Sequence, residues 1–287
     1  MWIGMTKRLI FAFLTLMFMS ACGEYTYLQK SSDVEYKYDA AKAYYAEGHY
    51  GRACELLKNV LAPLKGTAYG EESLYLLAMA NYKHRDYESA GNYFKKYYQS
   101  YPKGDYVEQA RYYCGYMLYK QSPDARLDQH STEEAIAEFQ SFLDLYPGTR
   151  LKEQSQEMIF LLQDRLVEKE YLSAKLYYDM GSYVNNRAGG SNYDACVVTA
   201  QNALKDYPFA SAERREELSI LILRSKYQLA KQSVEDKREA RFRDAIDEYY
   251  AFMNDFPESK YEKEARGILA DAESIVKKKK LDISEKE

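Results

Sequence analysis

Residues able to do covalent or proton-transfer chemistry are few in this chain. Three histidines and four cysteines stand among 287 residues. His49, His84 and His130 all fall where the pattern predicts turns between helices, where a polar residue is expected. There is no His-Glu-x-x-His, no glycine-rich loop followed by Lys-Ser/Thr, no Gly-x-Ser-x-Gly and no cysteine pair at metal spacing. Carboxylates are abundant, but spread along helical patterns they read as solvated faces and not as acid/base pairs. No catalysis, metal or cofactor is expected. The chemistry left is recognition: 31 of 287 residues are tyrosine, and each offers a broad apolar ring with a polar tip suited to half-buried surfaces.

One thiol stands apart. Lys7-Arg8 form a short basic segment, Leu9 to Met19 is an uncharged and largely apolar run, and Ser20-Ala21 precede Cys22. As a helix that run spans only about 16 Å, well short of a bilayer core, so it reads as a signal segment and not as a membrane span. Cys22 then resembles the acylated cysteine of a bacterial lipoprotein, with Met19 where leucine is usual. The expected division is a signal peptide over 1–21, a polar tether over 22–32, a folded array over 33–278 and a tail over 279–287. Cys54, Cys114 and Cys196 remain, an odd number inside helical patterns, and are expected as buried free thiols. Without residues 1–21, 38 basic residues face 44 acidic ones. That sign argues against nucleic acid as a partner. Lys277 to Lys280, the one dense basic run, suits the end of a helix.

The elements that must position the tyrosines are helix pairs. Glu71 to Pro102 reads as two amphipathic helices with a tight turn at His84 to Asp86, and Ala78 and Ala90 fall where the helices cross. One hairpin cannot bury its apolar face alone. Shifted by 37, Ala41, Tyr45, Gly48 and Ala53 match Ala78, Tyr82, Arg85 and Ala90, while Tyr112, Gly115 and Tyr119 match Tyr75, Ala78 and Tyr82. A loop over Gln121 to His130 interrupts the third unit. A continuous helix of roughly 30 residues is expected from Leu151 to Tyr178. The fourth unit then carries a loop over Asn185 to Asn192, and the fifth a charged linker near Glu235 to Arg241. A polar helix over Tyr261 to Lys278 suits a cap. Four units close on an aromatic residue and proline, at Tyr101-Pro102, Tyr146-Pro147, Tyr207-Pro208 and Phe256-Pro257.

Leu74, Leu77, Ala78, Tyr82, Tyr87, Ala90, Phe94 and Pro102 resemble the tetratricopeptide repeat at nearly every defining position. That implies an all-α tetratricopeptide-repeat α-solenoid of about five helix pairs plus a capping helix, the first helix of each pair lining a concave groove. Positions five and twelve of the four regular units are Tyr38 and Tyr45, Tyr75 and Tyr82, Tyr112 and Tyr119, Tyr171 and Tyr178. Seven residues is two turns, so each pair shares a face. Such a ladder can hold an extended peptide at low entropic cost, or pack the repeats against one another.

The lipoprotein-like Cys22, the tether, the Tyr-Pro ends, the long central helix and Leu204-Lys205-Asp206-Tyr207-Pro208 together resemble the BamD family, over about residues 22 to 257. The family is a lipoprotein subunit of the machinery that assembles β-barrels in the bacterial outer membrane. The resemblance implies a non-catalytic scaffold in a hetero-oligomer, lipid-anchored on the periplasmic side of that membrane. Its expected partners are nascent outer-membrane proteins and the periplasmic part of the barrel-assembly subunit. Glycan-binding and cell-envelope-coordinating lipoproteins share the repeat type; the short loops and the lack of an N-terminal coiled coil fit them less well.

Overall fold

Several helices begin or end on a local signal. The computed structural model describes residues 25–181 and 191–284. It places α1 at Val34–Ala46, α2 at Tyr50–Leu64, α3 at Gly70–Lys83, α4 at Tyr87–Ser100, α5 at Val107–Gln121 and α6 at His130–Leu145. Beyond them lie α7 at Lys152–Met180, α8 at Asn192–Asp206, α9 at Ala212–Lys231, α10 at Glu235–Asp255 and α11 at Glu262–Ser284. Among the described residues there is no strand. The Asp33 carboxylate caps α1 by accepting the Tyr36 N–H at 3.0 Å, and Asp86 caps α4 by accepting from Ser89 at 3.1 Å.

The hairpin turns after α1 and α3 share one geometry. After α1, the His49 N–H reaches the Tyr44 carbonyl at 2.8 Å and the Gly48 N–H the Tyr45 carbonyl at 3.1 Å. After α3, Asp86 and Arg85 donate to Asn81 and Tyr82 at 3.0 Å each. This paired closure needs a left-handed residue. Gly48 supplies it at φ +82°, and Arg85, 37 residues on, at φ +66°.

The unit ends also repeat. Tyr101, Tyr207 and Phe256 adopt nearly one backbone conformation, with φ between −123° and −132° and ψ between 65° and 68°. The following proline excludes helical geometry there. Three of the four unit-end rings lie back over an aromatic of their own helix, Tyr101 on Tyr97, Tyr146 on Phe142 and Phe256 on Phe252, with centroids 5.5–5.6 Å apart, whereas Tyr207 has Ala203 at that place.

Helix pairs therefore pack in chain order, an all-α fold of the tetratricopeptide-repeat class. The crossing points are small, as the sequence requires: Ala41, Ala78, Ala53, Ala90 and Ala135 are fully buried. Gly115 takes the same place in α5 because a Cβ there would lie 3.2 Å from the Phe139 ring. The described residues from 25 to 122 together with Ala137–Ser155 form one compact unit. Pro123–Ile136 and the described residues from Gln156 onward form the second. The first unit is centred on Leu56, Leu57, Leu77, Phe94 and Tyr97, and the second on Val167, Ala174, Ala200, Leu218 and Ile222.

The long helix appears as α7, 29 residues without a break. Cys54, Cys114 and Cys196 are buried free thiols, and burial pushes the first two up to about 11 and about 12. Two segments differ from the sequence reading. The charged stretch from Glu235 to Arg241 is not a linker but the first turns of α10, its acidic residues at the favoured helix start. Residues 25–30, read as tether, are helical, and Leu28 is buried in the first unit's core. Its neighbours Tyr25 and Gln29 both donate to the Glu55 carboxylate of α2.

Candidate functional site

The first helices of the first unit, α1, α3 and α5, carry six of the eight tyrosines singled out by register. Tyr38 is 2% exposed and belongs to the core, its ring tilted against Tyr69 at 5.5 Å. The other five are half-buried. Tyr75 is enclosed by three rings: it stacks on Tyr106 at 4.3 Å and meets Phe94 and Tyr97 edge-on. Its hydroxyl donates to Gln109 Oε1 at 3.1 Å. Tyr45 lies edge-on to Tyr50 at 5.5 Å. Burial raises the Tyr75 hydroxyl, and the hydroxyls of Tyr113 and Tyr45 add to that.

Two tyrosines outside the register join the set. Tyr113 stacks on Phe94 at 5.2 Å and touches Tyr82 at 5.5 Å. Tyr116 lies between Tyr112 and Tyr119, nearly parallel to both, at 6.0 and 5.9 Å. Residues 112, 116 and 119 follow the i, i+4, i+7 spacing of one helix face. The result is a continuous aromatic tract from Tyr82 through Tyr116 to Tyr119. Lys120 flanks it, with Nζ 5.1 Å from the Tyr116 centroid and 5.7 Å from that of Tyr119. Hydrogen bonding to Tyr116 raises the Lys120 amine above its ordinary value. An aromatic tract with a cation at its margin can hold apolar and aromatic side chains of an extended segment.

The remaining pair lies in the second unit. Tyr171 carries the Arg214 guanidinium 4.3 Å above its ring, and Arg214 also pairs with Glu168 and Glu217. Tyr178 meets Tyr193 edge-on at 5.7 Å. Both are half-buried, but each is engaged by a partner of its own unit and no tract forms between them. Cys22 lies outside the described residues.

Among the described residues no group of three His, Cys, Asp or Glu side chains is placed to hold a metal ion. No described helix is long and apolar enough to cross a membrane.

Comparison with known proteins bears on what such a tract serves. A family model described as "Outer membrane lipoprotein", YfiO, matches residues 30–222, more than half of the chain. The outer membrane protein assembly factor BamD of Pasteurella multocida is 24% identical over 194 residues, 62% of this chain and 72% of that protein. A putative assembly factor of the same name from Aquifex aeolicus is 26% identical over 181 residues, covering 62% of this chain and 59% of its own. The Caulobacter vibrioides factor is 22% identical over 156 residues, 54% of this chain and 51% of that protein. The chain thus spans between about half and about three quarters of these relatives. On the family match, which runs from the first helix pair into α9, this repeat protein belongs to the BamD/YfiO family of outer membrane lipoproteins.

Proposed function

We propose that this protein is a non-catalytic scaffold for assembly of β-barrel proteins into the outer membrane. In this reading Cys22 is acylated and anchors the folded body on the periplasmic side. The aromatic tract of α3 and α5 holds extended segments of nascent outer-membrane proteins, and the second unit meets the periplasmic part of the barrel-assembly subunit. The observation that carries the reading is the half-buried tract Tyr82, Tyr113, Tyr116 and Tyr119 on first helices of a family member whose relatives are named assembly factors. Rigid rings with two side-chain torsions lose little entropy on binding, and a few such rings carry most of an interface.

The test is the double substitution Tyr116→Ala/Tyr119→Ala, which removes the rim rings and spares Tyr75, whose ring is locked among three others. Binding of a urea-unfolded outer-membrane β-barrel protein, diluted into buffer, should weaken at least tenfold while the helical circular dichroism stays unchanged. Unchanged binding would overturn the role of the tract. Affinity purification from detergent-solubilised membranes tests the partner: the barrel-assembly subunit is expected, and recovery of glycan transporters in its place would overturn the assignment.

A further inference from the structure

A second surface of the first unit is built for a different ligand. Between α2, the start of α3 and α4 lies a cleft of about 240 Å³ with Leu61 and Leu74 in its floor and Tyr101 at one wall. Lys58, Lys65 and Lys96 stand around it, all exposed, and among the described residues none pairs with a carboxylate. Some cations elsewhere are engaged, Lys42 with Glu72, Lys226 with Glu248 and Arg224 with Glu264, while others such as Lys95, Lys103 and Lys237 are exposed like these three; what sets Lys58, Lys65 and Lys96 apart is that they converge on one apolar cleft. Three exposed ammonium groups around an apolar floor concentrate positive charge at one place on a chain with an acidic balance. Such a site fits a ligand with an anionic head and an apolar stem.

Position selects the ligand class. Residues 25–30 are fastened to α2 through Leu28 and through Tyr25 and Gln29 on Glu55. Lys58 lies one helical turn beyond Glu55, and Lys65 about 15 Å along the same helix axis. Cys22 is three residues before Tyr25, so chain length alone keeps an acyl group there within about 11 Å of the Tyr25 backbone. A lipid anchor at Cys22 therefore holds α2, which carries Lys58 and is followed directly by Lys65, close to a bilayer surface. We propose that the cleft formed by Lys58, Lys65, Lys96, Leu61, Leu74 and Tyr101 binds the headgroup of an anionic phospholipid of the anchoring membrane. The lysines take the phosphate, and the glycerol and first methylenes rest on the leucines. The position argument rests on acylation at Cys22 as read above; the charge argument does not.

The experiment uses the full chain reconstituted into vesicles of phosphatidylethanolamine alone, or of phosphatidylethanolamine with one third phosphatidylglycerol. Amine acetylation is followed lysine by lysine by mass spectrometry. Lys58, Lys65 and Lys96 should react about tenfold more slowly in the vesicles containing phosphatidylglycerol, while exposed Lys237 of the second unit keeps its rate. High salt should remove the difference. Equal rates in both vesicles overturn the proposal. So does slowing that is absent with phosphatidylglycerol but appears when polyglutamate is added to phosphatidylethanolamine vesicles, which reassigns the cleft to an acidic protein segment. Flotation on phosphatidylethanolamine alone is read separately. Its failure counts against the anchor at Cys22 and leaves the lysine result to stand or fall by itself.

Discussion

Arg85 holds a backbone conformation that costs an L-residue with a Cβ about 1–2 kcal/mol, at the point where the first unit of the array uses glycine. The two turns are otherwise the same closure, so the difference can be measured at one atom. Arg85→Gly should stabilise the protein by about 0.5–1 kcal/mol, the relief of strain being partly offset by the looser unfolded chain. Gly48→Ala should destabilise it by about 1 kcal/mol, and for conformational reasons alone, since nothing lies within 4 Å of the added Cβ. Urea midpoints of the two variants, moving in opposite directions, check the assignment. A period of 37 makes these positions legible in the sequence, because a small or turn-compatible residue is demanded at the same place in each of these two units. The same template led past Tyr113 and Tyr116. Positions five and twelve were carried over from the repeat, whereas α5 has tyrosine at 112, 113, 116 and 119, and the rings at i+1 and i+4 fill the gaps between the two expected ones.

At the scale of elements, the turns that close the helix pairs are held by acids that no local pattern announces. Glu71 of α3 accepts the Asp105 N–H at 2.8 Å and the Tyr97 hydroxyl, and that same hydroxyl accepts the Tyr106 N–H at 3.1 Å. Glu108, 37 residues later in α5, accepts the Thr149 hydroxyl at 2.6 Å. In the second unit Asp164 accepts from the Ser211 N–H at 3.4 Å, and Glu213 pairs with Lys260 at 3.2 Å. Each acid reaches the segment just after an aromatic-proline end. The prolines could be read as stops from sequence; their clasps could not, because the partners are 34 to 47 residues apart and differ in kind. Glu71→Ala leaves a buried tyrosine hydroxyl and a backbone N–H without their acceptor and should cost about 2 kcal/mol. Glu71→Gln keeps an acceptor oxygen and should cost about half as much. Thermal unfolding of the two variants separates a hydrogen-bonding role from simple loss of volume. The charged start of α10 shows the opposite limit of pattern reading: Glu235 and Asp236 looked like linker because they are polar, yet acids at the first turn are what a helix start favours.

For the whole molecule, the density of tyrosine sets an alkaline limit on the fold. Tyr38, Tyr97 and Tyr98 of the first unit are buried, and burial is the first cause raising each hydroxyl well above its usual value of 10. Carboxylates add to it: Glu72 beside Tyr38, Glu71 on Tyr97 and Glu138 near Tyr98. In the unfolded chain these hydroxyls ionise near pH 10, while in the native unit they keep their protons. Above pH 10 the unfolded state therefore binds fewer protons than the native one, and stability falls with rising pH. Their contribution is fully present below pH 10 and is lost as pH climbs toward the native values. Three such groups imply a loss of about 4 kcal/mol per pH unit, at about 1.4 kcal/mol each. The second unit's raised hydroxyls, Tyr171, Tyr178, Tyr207 and Tyr227, are all half-buried, so water screens them more. The two units should then part company on alkalinisation. Circular dichroism at 222 nm should fall in two steps above pH 10, the first accompanied by tyrosinate absorbance at 295 nm. Brief subtilisin digestion between the steps should cut first between residues 25 and 122, with fragments of α9 and α10 surviving. A single cooperative step, or first cuts in the second unit, would mean that the buried tyrosines of the first unit do not govern its stability.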